Sequence, residues 1–385
     1  MNGFEERARA IEPELCAIRE ALHRCPEPGN AEFRTAEQIE RALGKWGIAT
    51  ERVLGTAVVG TLKGAFPGKT VALRADMDAL PLTEQTGAPF ASENAGWMHA
   101  CGHDVHMTAV LGAARLLAER RDLLHGTVLF VFEPDEEGSG GAARLCDSGR
   151  LDGVDAVFGA HVDPTLPAGT VGVRYGKFYA ASDTFDVTVH GKSAHGATPE
   201  LGRDALAAAV ETIARLRALP ERVCNDRCVL TVGTFSAGTA RNILADTATF
   251  AGILRTLGPD ERRRMKAALR ETVTEAATAT GTTAELTLRE SYGGVVNHDT
   301  ETALAEQAAR ETLGAARVVR IDRPTMTTED FGVYLEHAGG SFYHIGAGCT
   351  LPLHHPGFLP EAEAFVAGAA VHAAVAERFL NGTND

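Results

Sequence analysis

Hydrophobic positions along the chain follow two rhythms, and the rhythm changes near residue 180. Before that point, apolar residues spaced three and four apart alternate with short continuous apolar runs, which are typical of strands buried on both faces of a parallel sheet. This alternation predicts an α/β domain with a mostly parallel sheet. Its predicted helices span residues 4–24, 35–46 and 108–120, and its predicted strands span 58–62, 70–73, 127–132 and 156–162.

After residue 180 the pattern becomes that of an antiparallel sheet. Residues 183–190 alternate polar and apolar side chains, as expected of a strand with one face in water. Beyond Gly293 and Gly294 the α/β pattern returns. The sequence therefore predicts one domain of residues 1–180 and 294–385, interrupted by a smaller α+β domain of residues 181–293. The other elements predicted after residue 190 are strands at 228–236, 246–256 and 283–290, and helices at 203–218, 260–279, 300–313 and 361–380.

Charge and hydropathy argue against several classes of protein. The formal net charge of −14 disfavours nucleic acid as a partner, because binding to phosphates needs a basic face. No stretch approaches the roughly 18 apolar residues that cross a bilayer. The acidic N-terminal segment also lacks the apolar core of a signal peptide. We therefore expect a cytoplasmic protein with neither a nucleic-acid nor a membrane partner.

The seven cysteines do not resemble the disulfide framework of a small secreted protein, because their number is odd and they are spread along the chain. Cys224 and Cys228 lie four residues apart, but no second pair completes a zinc site. We interpret them as free thiols. A reducing environment would also keep a thiolate available as a metal ligand.

Acidic residues follow two of the predicted core strands. Asp76 and Asp78 come soon after strand 70–73, and Glu136 and Glu137 follow strand 127–132. Singly, these residues could be turn or solvated surface residues. However, ligands of open α/β sheets bind at the carboxyl ends of strands, and two adjacent like charges at a packed edge need a cation.

Thiol and imidazole groups are expected at the same edge. Cys101 and His103 flank a glycine before helix 108–120, and His161 lies at the end of strand 156–162. Cys101 alone would more often be a small buried hydrophobic residue. Together with the carboxylates, these groups form a set of metal ligands. The sequence therefore predicts a metal site at this edge of the sheet.

Two adjacent glutamates suit metal-assisted hydrolysis. One carboxylate can bind a metal ion while its neighbour remains free as a general base. A metal ion lowers the pKa of bound water from about 16 towards about 7. The free glutamate can then take the proton and deliver it to a leaving nitrogen. An amide is the expected substrate.

Six segments of the chain resemble the aminoacylase/carboxypeptidase family of dinuclear metallohydrolases. The nearest branch is the one with hippurate hydrolase, indole-acetyl-amino-acid hydrolase and bacterial N-acetyl-amino-acid deacetylases. The match runs in order from His23 to Phe358 and thus covers nearly the whole chain. The segments are residues 74–81 (RADMDALP), 99–104 (HACGHD), 136–138 (EEG), 194–195 (AH), 328–331 (TEDF) and 353–356 (LHHP).

The resemblance implies a metallopeptidase-like catalytic domain with two divalent ions, either zinc or manganese, cobalt or nickel. The Cys101 thiolate would bridge the ions where relatives use aspartate. Glu136 would be the base, and Asp78 would orient a ligand. His355 remains an alternative to its neighbour His354. The implied metal ligands are Cys101, His103, Glu137, His161 and His354.

The inserted domain resembles the lid and dimerisation domain of that family, which implies a homodimer. His195 matches the histidine that reaches a partner active site and stabilises the oxyanion, so it counts as both a catalytic and a substrate-binding residue. Asn242 matches a substrate-binding asparagine. Arg255 either lies at the edge of the core or binds a substrate carboxylate.

We expect the protein to hydrolyse the linear amide bond of an N-acyl amino acid, such as an N-acetyl amino acid, or of a related small amide. One alternative is a dipeptidase or carboxypeptidase of the same family, although the cysteine in the metal motif disfavours it. Another is a metal-dependent binding protein that has lost catalysis.

Overall fold

The computed structural model describes residues 3–382 and contains helices and strands throughout this range. The α-helices are α1 (Phe4–Ala10), α2 (Glu12–His23), α3 (Phe33–Lys45), α4 (His103–Ala118), α5 (Gly141–Asp147), α6 (Ala205–Arg217), α7 (Leu219–Val223), α8 (Pro259–Ala279), α9 (Asp299–Leu313), α10 (Gly332–His337) and α11 (Ala362–Asn381). The strands are β1 (Ala49–Val53), β2 (Ala57–Lys63), β3 (Phe66–Asp76), β4 (His125–Glu133), β5 (Ala156–Asp163), β6 (Val171–Val173), β7 (Gly176–Lys177), β8 (Ala181–His190), β9 (Val229–Ala237), β10 (Thr247–Thr256), β11 (Thr283–Glu290), β12 (Val296–Asn297), β13 (Val318–Arg320) and β14 (Gly339–Gly346).

The chain divides into two compact units. The first unit contains the residues up to Gly176, the segment Asn297–Asp322 and the residues from Asp330 onwards. The second unit contains Lys177–Val296 and Arg323–Glu329. The boundaries expected from the sequence, 181–293, lie within the long segment of the second unit. Each unit has its own hydrophobic core.

The first unit is built on an eight-stranded sheet with the order β1-β2-β4-β3-β5-β14-β6-β13. The pairs β4–β3, β3–β5, β5–β14 and β6–β13 are parallel, whereas β1–β2, β2–β4 and β14–β6 are antiparallel. The expected mostly parallel α/β sheet is confirmed. Because β3, β4 and β5 run in the same direction, their carboxyl ends meet at one edge.

Helices α4 and α11 pack against each other and against β3. Glycines allow the two helices to approach closely. A Cβ on Gly112 of α4 would lie 2.6 Å from the Cβ of Ala369, and one on Gly368 of α11 would lie 2.9 Å from that of Ala109. This contact fixes α4, whose first turn carries His103. Among the described residues, no helix is both long and apolar enough to cross a membrane.

The second unit is an α+β structure, as expected. Its sheet is antiparallel and has the order β11-β8-β10-β9. Helices α6 and α8 pack against each other, α6 also contacts β8, β9 and β10, and α8 contacts β10 and β11. Buried apolar residues of these strands and helices form the core of the unit.

Some predicted boundaries were wrong. The helix expected at 4–24 is two helices, since Pro13 lies in the first turn of α2 and has no N–H for a continuous helix. Strand β1 was missed because its residues are exposed or half-buried and show no apolar pattern. Helix α4 begins at His103, five residues earlier than expected, and this brings His103 and His106 into its first turns.

The interpretation of Cys224 and Cys228 as free thiols was wrong. Cys224 follows α7 directly, and Cys228 directly precedes β9. The three residues between them reverse the chain, so the two Cα atoms lie 6.3 Å apart and the side chains form a disulfide. The other five cysteines are free.

This pairing predicts the number of reactive thiols. Denatured protein that has not been reduced should react with five equivalents of a thiol reagent, and reduced protein with seven, because Cys224 and Cys228 are protected only in the disulfide. The double variant Cys224→Ser/Cys228→Ser should give five equivalents with or without reduction. Seven equivalents from the unreduced protein would contradict the pairing.

Candidate metal centre

The carboxyl ends of β3, β4 and β5 carry the chemistry of the first unit. Asp76 at the end of β3 is in register with Glu133 at the end of β4, and His161 lies near the end of β5. The loop before α4 joins them at Gly102, which has a φ of 86°. A Cβ on Gly102 would lie 2.5 Å from Cγ2 of Val162, so only glycine lets this loop approach β5.

The thiol of Cys101 lies between two histidines. Its Sγ is 3.3 Å from Nε2 of His161 and 3.3 Å from Nε2 of His354. The same His354 nitrogen is 3.1 Å from Oε1 of Glu137. Cys101 is buried at 6% exposure. The thiol is therefore at the centre of the cluster rather than at its rim.

Two groups of metal-ligating atoms share this thiol. In each group the ligand atoms lie within 4.8 Å of one another. The first group is Cys101, His103 and His161, and the second is Cys101, Glu137 and His354. The structure thus brings together all five residues that the sequence analysis named as metal ligands.

The orientation of the imidazoles fits a cation. Nδ1 of His103 donates to the main-chain oxygen of Asp78 at 2.8 Å, and Nδ1 of His161 donates to the oxygen of Val162 at 2.8 Å. Each ring therefore keeps its Nε2 lone pair free to bind a metal ion. Nε2 of His103 is buried and makes no hydrogen bond within residues 3–382. Nitrogen, sulfur and carboxylate ligands suit zinc and related divalent ions.

Charges in the cluster also favour a cation. Burial lowers the pKa of His103, but the charges of Asp76 and Asp78 outweigh it and raise this pKa to about 10. Burial and the charge of Glu137 raise the pKa of the Cys101 thiol well above its usual value. A metal ion would therefore replace a proton on each of these groups.

A third group, Asp76, His103 and His106, has a different explanation. Nδ1 of His106 donates to Oδ1 of Asp76 at 2.7 Å. Nε2 of His106 accepts from the main-chain N–H of Val162 at 2.9 Å. Both ring nitrogens are thus used in hydrogen bonds, so His106 has no lone pair left for a metal ion.

Asp78 holds the diglutamate segment. Its Oδ1 accepts from the main-chain N–H of Glu136, and its Oδ2 accepts from that of Glu137, both at 3.1 Å. Glu136 is buried, and a carboxylate oxygen of this residue belongs to the same group of atoms as His103 and Glu137. Oδ1 of Asp78 also lies 3.4 Å from Nδ1 of His103, so Asp78 contacts both the diglutamate main chain and one of the expected metal ligands.

The two adjacent histidines after β14 are placed differently. The main-chain N–H of His354 donates to the oxygen of Ala100 at 2.9 Å, and its φ is 63°, which is unusual for a residue with a side chain. Its ring contacts Cys101 and Glu137 as described. The ring of His355 is turned to its own loop, where Nδ1 accepts from the N–H of Gly357 at 3.0 Å.

In the second unit, His195 and Asn242 lie on paired segments. The main-chain N–H of Gly196 donates to the oxygen of Asn242 at 2.8 Å, and His195 and Ile243 form an isolated bridge. Nδ1 of His195 accepts from the N–H of Ala197 at 3.1 Å, which leaves the proton on Nε2. His195 and Asn242 are both exposed.

Arg255 is not near this pair. It lies near the end of β10, opposite Ser182 of β8. Asn242 precedes the start of β10, and His195 follows the end of β8, which is paired with that start. The rise along a strand separates the two ends by roughly 27 Å. Nη1 of Arg255 is buried without a hydrogen bond among the described residues. Its role in substrate binding stays a prediction.

The roles of Arg74 and His106 were not expected from the sequence. Arg74 is fully buried and donates to Asp76, Glu133 and Asp330. His106 could have been found from its spacing to His103, because residues three apart on a helix lie on the same face. The signal for Arg74 was weaker, since a charged residue inside an apolar strand must be paired.

Comparison with known proteins identifies the class of this chain. Residues 72–378 match the profile of peptidase family M20/M25/M40, and the chain belongs to that family.

Individual relatives cover nearly the whole chain. An N-acetyl-L-cysteine deacetylase of Bacillus subtilis is 36% identical over 97% of this chain and 90% of its own length. Thermostable carboxypeptidase 1 of Saccharolobus solfataricus is 34% identical over 99% of both chains. A crystal structure from Bacillus subtilis, described as a dinuclear metal binding peptidase of the M20 family, is 35% identical, covers 97% of this chain and 99% of its own, and has a TM-score of 0.88. The expectation of a metallo-amidohydrolase is confirmed.

Proposed function

We propose that this protein hydrolyses the amide bond of N-acyl amino acids with the help of two divalent metal ions. The observation that carries the proposal is the Cys101 thiol, which is shared by two groups of ligand atoms beside the buried Glu136. The relative named as an N-acetyl-L-cysteine deacetylase supports an N-acyl amino acid as the substrate. The relative described as dinuclear supports two ions.

The residues of the first unit have separate roles in the proposed hydrolysis. When bound, the divalent ions supply Lewis acidity, which polarises a carbonyl group and acidifies water. Glu136 takes a proton from the attacking water and delivers it to the leaving nitrogen. Asp78 keeps the Glu136 main chain in place through the hydrogen bond to its N–H. The residues proposed to hold the ions are Cys101, His103, Glu137, His161 and His354.

The second unit contributes a proton donor and a polar contact. Because Nδ1 of His195 accepts from its own loop, its Nε2 carries a proton that can be donated to an oxyanion. Asn242, on the paired segment, can bind the substrate by hydrogen bonds. By resemblance to the family, His195 acts in the active site of a partner subunit, which requires a homodimer.

The alternative is that the protein is a carboxypeptidase, which would act on peptides, since one relative is named as a carboxypeptidase. Both activities need the same ions and the same general base, so the metal cluster does not separate them. A cytoplasmic location is part of the proposal, because a reducing compartment keeps the Cys101 thiol available to metal ions; the Cys224–Cys228 disulfide would be reduced there.

The substrate class is tested by measuring amine release from a panel of N-acyl amino acids and a matched panel of dipeptides, with zinc, manganese or cobalt added. We expect faster turnover of the N-acyl amino acids. The isosteric variant Glu136→Gln should retain its metal and lose activity by about 10²–10⁴-fold, because it cannot accept the proton. Faster turnover of the dipeptides would favour the carboxypeptidase. No turnover of either panel by folded, metal-loaded protein would refute the proposal.

The choice between the adjacent histidines is tested by metal content. His354→Ala should reduce the bound metal from two equivalents towards one, because its ring contacts the shared thiol and Glu137. The matched variant His355→Ala should retain both, since Nδ1 of that ring accepts from the N–H of Gly357 in its own loop. Elemental analysis after dialysis measures both. The reverse result would assign the ligand to His355.

The proposed dimer has a candidate surface on the second unit. β9 is an edge strand of the antiparallel sheet, and Phe235 on it is 45% exposed. Leu206 and Val210 of α6 are 40% and 53% exposed and lie one turn apart on one face. An apolar helix face beside an open strand edge suits a second copy related by a twofold axis.

Replacing Val210 by aspartate should shift the protein from dimer to monomer, because it places a charge in the proposed apolar contact while leaving the buried face of α6 unchanged. Light scattering at micromolar concentration measures the mass. Thr283→Asp, on the opposite edge strand β11, is the matched control and should remain a dimer. A Val210→Asp protein that stays dimeric would place the interface elsewhere.

A further inference from the structure

His106 lies one helical turn after His103, buried between β3 and β5. Its ring is 4.6 Å from that of His161 and 5.5 Å from that of His103, measured between centroids. Its exposure is 3%. Such a buried imidazole is costly unless both nitrogens are satisfied. It therefore needs a specific partner on each side.

Those partners fix its protonation. Nε2 of His106 faces the main-chain N–H of Val162 at 2.9 Å, so this nitrogen must carry the lone pair. The proton is therefore on Nδ1, which donates to Oδ1 of Asp76 at 2.7 Å. The other oxygen of Asp76 accepts from Nη1 of Arg74 at 2.8 Å. Asp76 thus determines which nitrogen of His106 can accept.

The next link passes through the main chain of β5. Pairing between β3 and β5 ends at Arg74 and Gly159, so main-chain groups further along β5 find other partners. The N–H of Val162 donates to His106, and the oxygen of Val162 accepts from Nδ1 of His161 at 2.8 Å. Both polar groups of Val162 are therefore held by imidazoles.

This series of hydrogen bonds ends at the metal cluster. Because Nδ1 of His161 donates to Val162, its Nε2 lone pair points to the cluster, 3.3 Å from Sγ of Cys101. If the main chain at Val162 rotated, the acceptor for Nδ1 would move and the ring would turn with it. Displacements of this kind change the affinity of a metal site.

We propose that His106 is a positioning residue: it holds the main chain of Val162, and thereby the Nε2 lone pair of His161, towards the metal bound at Cys101. The proposal rests on the proposed metal centre. His106 itself touches neither the ion nor the substrate.

The two hydrogen bonds of His106 can be removed separately. In His106→Asn the amide can still donate to Asp76, but no acceptor remains at the position of Nε2. In His106→Gln the longer side chain can place its oxygen near that position and accept from Val162. His372→Leu is the control for a lost buried imidazole: His372 is 1% exposed, and its Nδ1 forms a hydrogen bond with the hydroxyl of Tyr343 at 2.7 Å.

The experiment measures the affinity of each variant for Co²⁺ against a competing chelator, together with the visible absorption of the cobalt–thiolate centre. His106→Asn should bind Co²⁺ roughly tenfold more weakly, with an altered spectrum. His106→Gln and His372→Leu should resemble the unaltered protein. Equal affinities and spectra for all of the proteins, or an equal loss in His106→Gln and His106→Asn, would overturn the proposal. If the unaltered protein binds no Co²⁺, the result refutes the proposed metal centre on which this proposal rests.

A second test uses the unaltered protein, so it does not depend on whether a variant folds. Nitrogen NMR of ¹⁵N-histidine-labelled, zinc-loaded protein reports which ring nitrogen carries the proton. We expect His106 to be neutral with its proton on Nδ1. A proton on Nε2 of His106 would exclude its acceptance from Val162 and would overturn the proposal.

Discussion

A buried guanidinium near the end of β3 joins three segments beside the metal cluster. Arg74, at 1% exposure, donates to Asp76 at 2.8 Å, to Glu133 at 2.6 Å and to Asp330 at 3.0 Å. These carboxylates come from β3, from the end of β4 and from the turn before α10. Removing one partner of a buried ion pair destabilises a protein by about 3–5 kcal/mol. The strand ends are therefore held in register by one side chain.

Carboxylates also fix the loop that carries the glutamates. The main-chain N–H of Asp135 donates to Oε1 of Glu32 at 3.0 Å, and the next two N–H groups donate to Asp78. Asp135 has a φ of 61°, a conformation that persists only when its surroundings enforce it. Three successive main-chain donors are thus held by two buried carboxylates. The proposed general base, Glu136, would need little reorganisation on such a loop before it accepts a proton.

The sequence was informative where local patterns determine structure. The antiparallel sheet, four of the eight strands of the larger sheet and most helices followed from apolar spacing, and the five expected ligands converge because parallel strands end at one edge. It was less informative where a residue acts through a distant partner. The hydrogen bond of His106 to Val162 and the ion pairs of Arg74 depend on the register of strands far apart in the chain. The Cys224–Cys228 disulfide was missed because it depends on a reversal between α7 and β9.

The neutral thiol of Cys101 limits the electrostatic repulsion among the buried carboxylates of the first unit. Burial and the neighbouring Glu137 and Glu136 raise the pKa of Cys101 well above its usual value, so without a metal ion the thiol stays neutral. An aspartate at this position, as the family resemblance gives for other branches, would add a further buried carboxylate. Such a charge is costly without a cation. Cysteine therefore limits the repulsion among buried anions in the absence of a metal ion, and in the proposed metal centre it would become an anionic ligand only when a cation displaces its proton.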